Sequence, residues 1–213
     1  MRDYIQSGDV NSADFDIYIF DLNTDMSPVY ALDEVAIPGR NGTLVLSHNR
    51  MENVIHRYMG VVYQNAEENL RWFRDAIMKN SGYRRLEDSI HLEEFYEARY
   101  VGGLEAKLTP ERQMAKFVIE FSRKPQRFLK TGEVPIEITV SGTEINNPTS
   151  FPSRPLVKIA GNGVVEIGGR AVTITDNPNP NLIVDSDMMD CYYSIQTCNQ
   201  YVALEGHEFT TIP

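Results

Sequence analysis

The chain has 213 residues, enough for one large domain or two small ones with a buried core. It is 42% hydrophobic and 23% charged, which excludes a low-complexity or disordered chain. Thirty acidic against twenty basic residues leave a formal charge of -10, which excludes the electrostatic footprint of a nucleic-acid or anionic-membrane binder.

From the N-terminus, Met1 to Gly8 holds no apolar stretch of the kind a secretory signal needs. Apolar tracts never exceed four residues, as in Ile17 to Phe20, so no segment is expected to span a bilayer. The best-marked element is a helix starting at Asn65. Asn65 and Glu68 are spaced as a capping box, and Glu67 and Glu68 lie where the helix dipole favours acids. Ala66, Leu70, Phe73 and Ile77 form one apolar stripe, and Gly82 is placed to stop the helix in a left-handed conformation. The only tryptophan, Trp72, points roughly 120° away from that stripe, at about 100° per residue. It is therefore either packed under a neighbouring segment or an exposed anchor at a subunit contact.

Further along, Phe117, Ile119 and Phe121 alternate with Lys116, Val118 and Glu120, the period of a half-buried strand. The charged stretch Lys124 to Gly132 reads as a domain boundary. Beyond it, Ile136, Ile138 and Val140 alternate with Glu137 and Thr139 as a second strand. Two strand-like runs, Val164 to Ile167 and Arg170 to Ile174, flank Gly168-Gly169, which suits a two-residue primed turn. The expected fold is mainly β with one helix: an α+β N-terminal domain over 1–130 and a C-terminal β-sandwich over 135–213, galectin-like or jelly-roll.

Residues that carry chemistry are sparse. Cys191 and Cys198 are too few for a disulfide scaffold or a four-ligand zinc site; a bridge between them is geometrically possible, and two half-buried thiols are the plainer reading. Gly161-Asn162-Gly163 begins like a dinucleotide fingerprint but lacks the third glycine and the following helix. His48, His56, His91 and His207 have no partner at ligand spacing. Asp185, Asp187 and Asp190 lack the glycine turn and downstream glutamate of a calcium loop and read as a polar turn. Glu93, Glu94 and Glu97 read as a solvated face rather than an acid pair for glycoside hydrolysis. No catalytic, metal or cofactor site is expected, and the chain is not expected to be an enzyme.

Four blocks, in order, are similar to the distal tail proteins of phages with long non-contractile tails. These are Ile37 to Leu44 around Gly39-Arg40-Asn41-Gly42, and Tyr83 to Asp88 followed by Phe95 to Arg99. The strand Phe117 to Phe121 running into Lys124-Pro125-Gln126 is the third. Asn147-Pro148 with Arg154 to Gly161, then the hairpin and Ile183 to Asp187, is the fourth. The resemblance implies a virion component: a homo-hexameric ring joining the tail-tube protein to tail-tip, baseplate or receptor-binding proteins. DNA would pass through its channel without specific binding. Members continue for a further strand or two, so a chain stopping at Glu208 to Pro213 implies an incomplete or unusually small outer domain. No receptor-protein docking loop or sugar-binding residue is carried over. The net charge further suggests acids lining the channel, repelling DNA phosphates.

A second reading is a carbohydrate-binding module for attachment to the host surface, with Tyr192, Tyr193 and Tyr201 as candidate glycan contacts. Strand packing is the plainer role for these three tyrosines. A tail-associated hydrolase finds no nucleophile or acid pair in the sequence.

Overall fold

The computed structural model describes residues 3–22, 26–167, 170–175, 182–185, 190–194 and 201–203. The order of elements is β1 (Ile5–Ser7), β2 (Val10–Asn11), β3 (Ile17–Leu22), β4 (Tyr30–Ala36), β5 (Thr43–Met51) and β6 (Val54–Val62). There follow α1 (Ala66–Met78), β7 (Arg84–Asp88), β8 (Glu94–Leu108) and β9 (Ala115–Leu129). The last third holds β10 (Leu156–Ile159), β11 (Gly163–Ile167), β12 (Arg170–Ile174), β13 (Leu182–Asp185), β14 (Asp190–Ser194) and β15 (Tyr201–Ala203). The fold is mainly β with one α-helix, and it divides into two compact units, Met1–Glu137 and Ile138–Pro213.

In the first unit, seven strands form a sheet in the order β2-β1-β7-β8-β9-β6-β3. The stripe Ala66, Leu70, Phe73 and Ile77 of α1 is buried against it, in one core with Ile17, Ile19, Tyr58, Phe117, Ile119 and Phe121. Rings of Phe73 and Phe117 meet edge to face at 6.5 Å. Burying one such side chain is worth about 2–3 kcal/mol. The sheet packs tightly around Gly60 of β6: a Cβ there would lie 2.5 Å from the Phe117 ring and 2.9 Å from the Tyr18 carbonyl oxygen. Register shifts in the β8–β9 ladder at Tyr96/Ala98, Tyr100/Gly102 and Gly102/Glu105 mark bulges, which bend and twist a strand pair.

The ends of α1 differ from the sequence expectation. Asn65 precedes the helix but is left-handed, at φ 48°, and its side chain makes no capping hydrogen bond. Its carbonyl oxygen instead accepts from Glu68 and Asn69, while the Ala66 N–H donates to the Gln113 carbonyl, so a distant turn does the work of the cap. Gly82 is not the left-handed stop; the helix ends at Met78 with Lys79 still right-handed.

Two further expectations fail. Lys124 to Leu129 is not a linker but the end of β9, with Arg127 to Leu129 paired to Glu94 to Tyr96 of β8 and Phe95 and Phe128 stacked at 5.2 Å. Pro135 to Val140 is not a strand: no residue from 134 to 155 joins a ladder, and all are exposed. The alternation is present there, but a strand also needs a partner.

In the second unit, β10-β13-β14-β15 form one antiparallel sheet and β11-β12 a hairpin. Ile174 and Leu182 are buried together, joined by Ile159, Val165 and Val184, so both sheets feed one small core. The hairpin has the expected register, Ile167 opposite Arg170, and its Gly168-Gly169 turn lies outside the described residues. Gly161 and Gly163 take positive φ before a strand, as a turn entering the hairpin rather than a nucleotide loop.

Candidate functional site

The first unit carries a projecting ribbon. β4 and β5 pair with each other and, among the described residues, with no other strand. Gly39 and Gly42 supply positive φ angles of 78° and 85° in the turn between them, where the Arg40 N–H donates to the Ile37 carbonyl. At the root, Glu52 N–H donates to the Val29 carbonyl at 2.8 Å. Register places Leu32, Glu34, Val45 and Ser47 on one face and Asp33, Val35, Leu44 and Leu46 on the other. Leu32, Val35, Leu44, Val45 and Leu46 are all exposed, so both faces show apolar side chains to solvent. A two-stranded hairpin alone is marginal in water, so this ribbon is built to be covered. The surface ion contact of His48 with Asp33 at 2.9 Å ties its strands together.

The sheet face opposite α1 is open. Directly opposed residues share a face, so Arg57, Arg99, Lys107 and Lys116 lie there with Glu105 and Glu120. Arg57 donates to Glu120 at 2.6 Å. Arg85 and Glu97, opposed in the β7–β8 ladder, lie on the same face, which therefore mixes both signs of charge.

Beneath the sheet lies a buried polar group. Asp88 is 4% exposed; its Oδ1 accepts from the N–H groups of Ile90 and His91 and lies 3.1 Å from His91 Nδ1. The Tyr58 hydroxyl reaches its other oxygen at 3.5 Å. Burial first, then the Asp88 charge, pushes the Tyr58 phenol well above its ordinary range. Arg123, also buried, donates to the Met26 carbonyl and lies 4.5 Å over the Tyr96 ring. This group fastens the 89–91 turn and the strand root.

A surface groove of about 510 Å³ runs beside α1, lined by Glu67, Glu68, Arg71 and Arg74 of the helix and Leu104 and Ala106 of β8. It holds no nucleophile. No cluster of three metal-ligating side chains occurs among the described residues, and no described helix is long and apolar enough to cross a membrane.

Trp72 is 55% exposed on the outer face of α1, with its Nε1 donating to Glu68 at 3.4 Å and the Arg71 guanidinium 5.8 Å from its ring centre. It is an exposed residue, not a packed one. Glu94 and Glu97 on β8 pair with Arg127 and Lys124 on β9, while Glu87 pairs with Arg85 of its own strand and with Lys130 beyond β9. The ladder sets Tyr192 opposite Ile183 and Ala203, Tyr193 opposite Leu182 and Val202, and Tyr201 opposite Ser194. The side chains of these three tyrosines lie outside the described residues, as do Cys198, His207 and Asp187. Asp185 and Asp190 face each other at the end of the β13–β14 ladder. The ribbon faces were not singled out from sequence, although Leu44-Val45-Leu46 beside a glycine turn was the available signal.

No protein-family model matches the chain, and no curated protein matches it. Among solved structures it is similar to the Dit protein of phage SPP1, described as a paradigm of the hub adsorption apparatus in phages infecting Gram-positive hosts. The match has 9% identity and a TM-score of 0.66, covering 90% of this chain and 82% of that one. Across that span the chain shares the fold of a phage hub protein.

Proposed function

We propose that this chain is a structural component of a phage tail: a hub that assembles as a homo-hexameric ring. The ring joins the tail-tube protein to the tail-tip, baseplate or receptor-binding proteins and leaves a channel through which DNA passes. The observation that carries the reading is the ribbon β4–β5, whose two apolar faces need another surface, on a fold shared with a hub protein. Function here is positional: one patch of each copy meets a different patch of the next, and closure of that contact gives a ring. Trp72, beside the groove on α1, is a second candidate contact, of the residue type that anchors interfaces.

Light scattering across a concentration series tests the proposal. Six chains of 24.2 kDa give a particle of about 145 kDa, and negative-stain images should show a central hole. A monomer at every concentration, together with its absence from purified tail ends, overturns it.

A further inference from the structure

The segment Val134–Val140, which has the pattern of a strand and no partner, sits in a molecule with several open sheet edges. We propose that it adds as a third strand to the free edge of β5 in a second copy. This rests on the ring reading above and names one contact that would hold the ring.

Within one chain the segment and the free edge of β5 are both unpaired, so neither finds the other. Val134, Ile136, Ile138 and Val140 are each at least half exposed, although all have side chains that favour strands. Charge selects among the free edges of the first unit. The segment carries Glu137, while Glu133 at its entry is already held by Arg85. β2 is two residues long beside Asp9, β3 carries Asp21 and follows Asp16, and β4 carries Asp33 and Glu34. β5 carries His48 and Arg50 and no acid, with Arg40 in the turn before it. β5 is nine residues long, and before the register shift around Asn49, at φ 53°, it runs regularly from Thr43 to Ser47.

Pro135 fixes which side of the segment pairs. In an antiparallel strand the N–H and C=O of one residue point to the same edge, and the edge alternates along the chain. Ile136, Ile138 and Val140 present a full set of donors to one edge. Pro135, Glu137 and Thr139 present the other, where proline lacks its N–H. The complete edge docks on β5. The incomplete edge becomes the new outer rim, where a proline blunts further strand addition.

A pair of proline variants reads this directly. Ile138→Pro removes a donor from the docking edge and should weaken self-association at least about tenfold. Thr139→Pro removes one from the outer edge and should leave association unchanged. Neither position is in a ladder of the single chain, so both variants should keep the wild-type circular dichroism and melting temperature. In a Cys191→Ser, Cys198→Ser background, Ile138→Cys in one copy and cysteines scanned over Thr43 to Ser47 in another should give disulfide-linked dimers on mixing. Equal weakening by both prolines, or assembly that persists with no cross-link at any scanned position, overturns the strand addition and leaves the ring standing. A protein that never assembles overturns both.

Discussion

At Gly60 the absence of a side chain is the structural element. The Phe117 ring occupies the volume of the missing Cβ, so Gly60→Ala must displace that ring and press on the Tyr18 carbonyl of β3. A cost of about 1–3 kcal/mol is expected, read as a lower urea midpoint. Combining it with Phe117→Leu should recover part of that loss, because the two sites share one space. Glu87 shows the reverse, a side chain held by its neighbours. Burial raises the carboxyl's pKa, but hydrogen bonds from Lys130 and Arg85 outweigh it and hold it below its ordinary value of 4.5. A depressed carboxyl stabilises the fold above its unfolded pKa, and that gain is lost as pH falls through the folded value. The midpoint advantage of wild type over Glu87→Gln should therefore be full near neutrality and vanish well below pH 4.5. Asn65 shows what residue preference leaves open. Asparagine suits both a cap and a left-handed backbone, and only the distant Gln113 carbonyl decided between them.

Among the elements, those legible in sequence are the ones whose burial is one-sided. The α1 stripe and the Phe117-Ile119-Phe121 face could be read because the core takes every third or fourth residue, or every second one. The end of β9 escaped because Lys124 to Arg127 hold no apolar alternation, although the strand continues through them and Arg127 pairs with Tyr96 of β8. Val134–Val140 failed in the opposite direction, since periodicity reports capacity to pair and not the presence of a partner. The ribbon lies between these cases: its turn was legible, its unpartnered faces were not. Replacing Leu44 and Leu46 together by Asn tests its role. Both are exposed in the single chain, so stability should move by no more than about 0.5 kcal/mol while self-association is lost. Loss of the melting transition instead would make the ribbon part of the monomer's own core.

On the scale of the whole molecule, the two units are unequally furnished. The first holds the helix, the seven-stranded sheet and the large core, and the second a small core between a four-stranded sheet and a hairpin. A fragment ending at Glu137 should unfold in a single transition with the helical signal intact. One ending at Arg123 should not, because it removes the β9 residues that pair with Glu94 to Tyr96 and the Glu133 carboxylate that binds Arg85. The choice between sandwich types for the second unit was not legible in the sequence, because short strands separated by Asn, Pro and Gly suit many β topologies alike.

The long pairing of β8, β9 and β6 also has a mechanical meaning. β9 is fifteen residues long and flanked by antiparallel partners on both sides. A load drawn along its axis towards Leu129 strains its rungs together, in shear, whereas a load across the sheet would open them one at a time. The strand is thereby arranged to carry tension along its own axis, its strong direction.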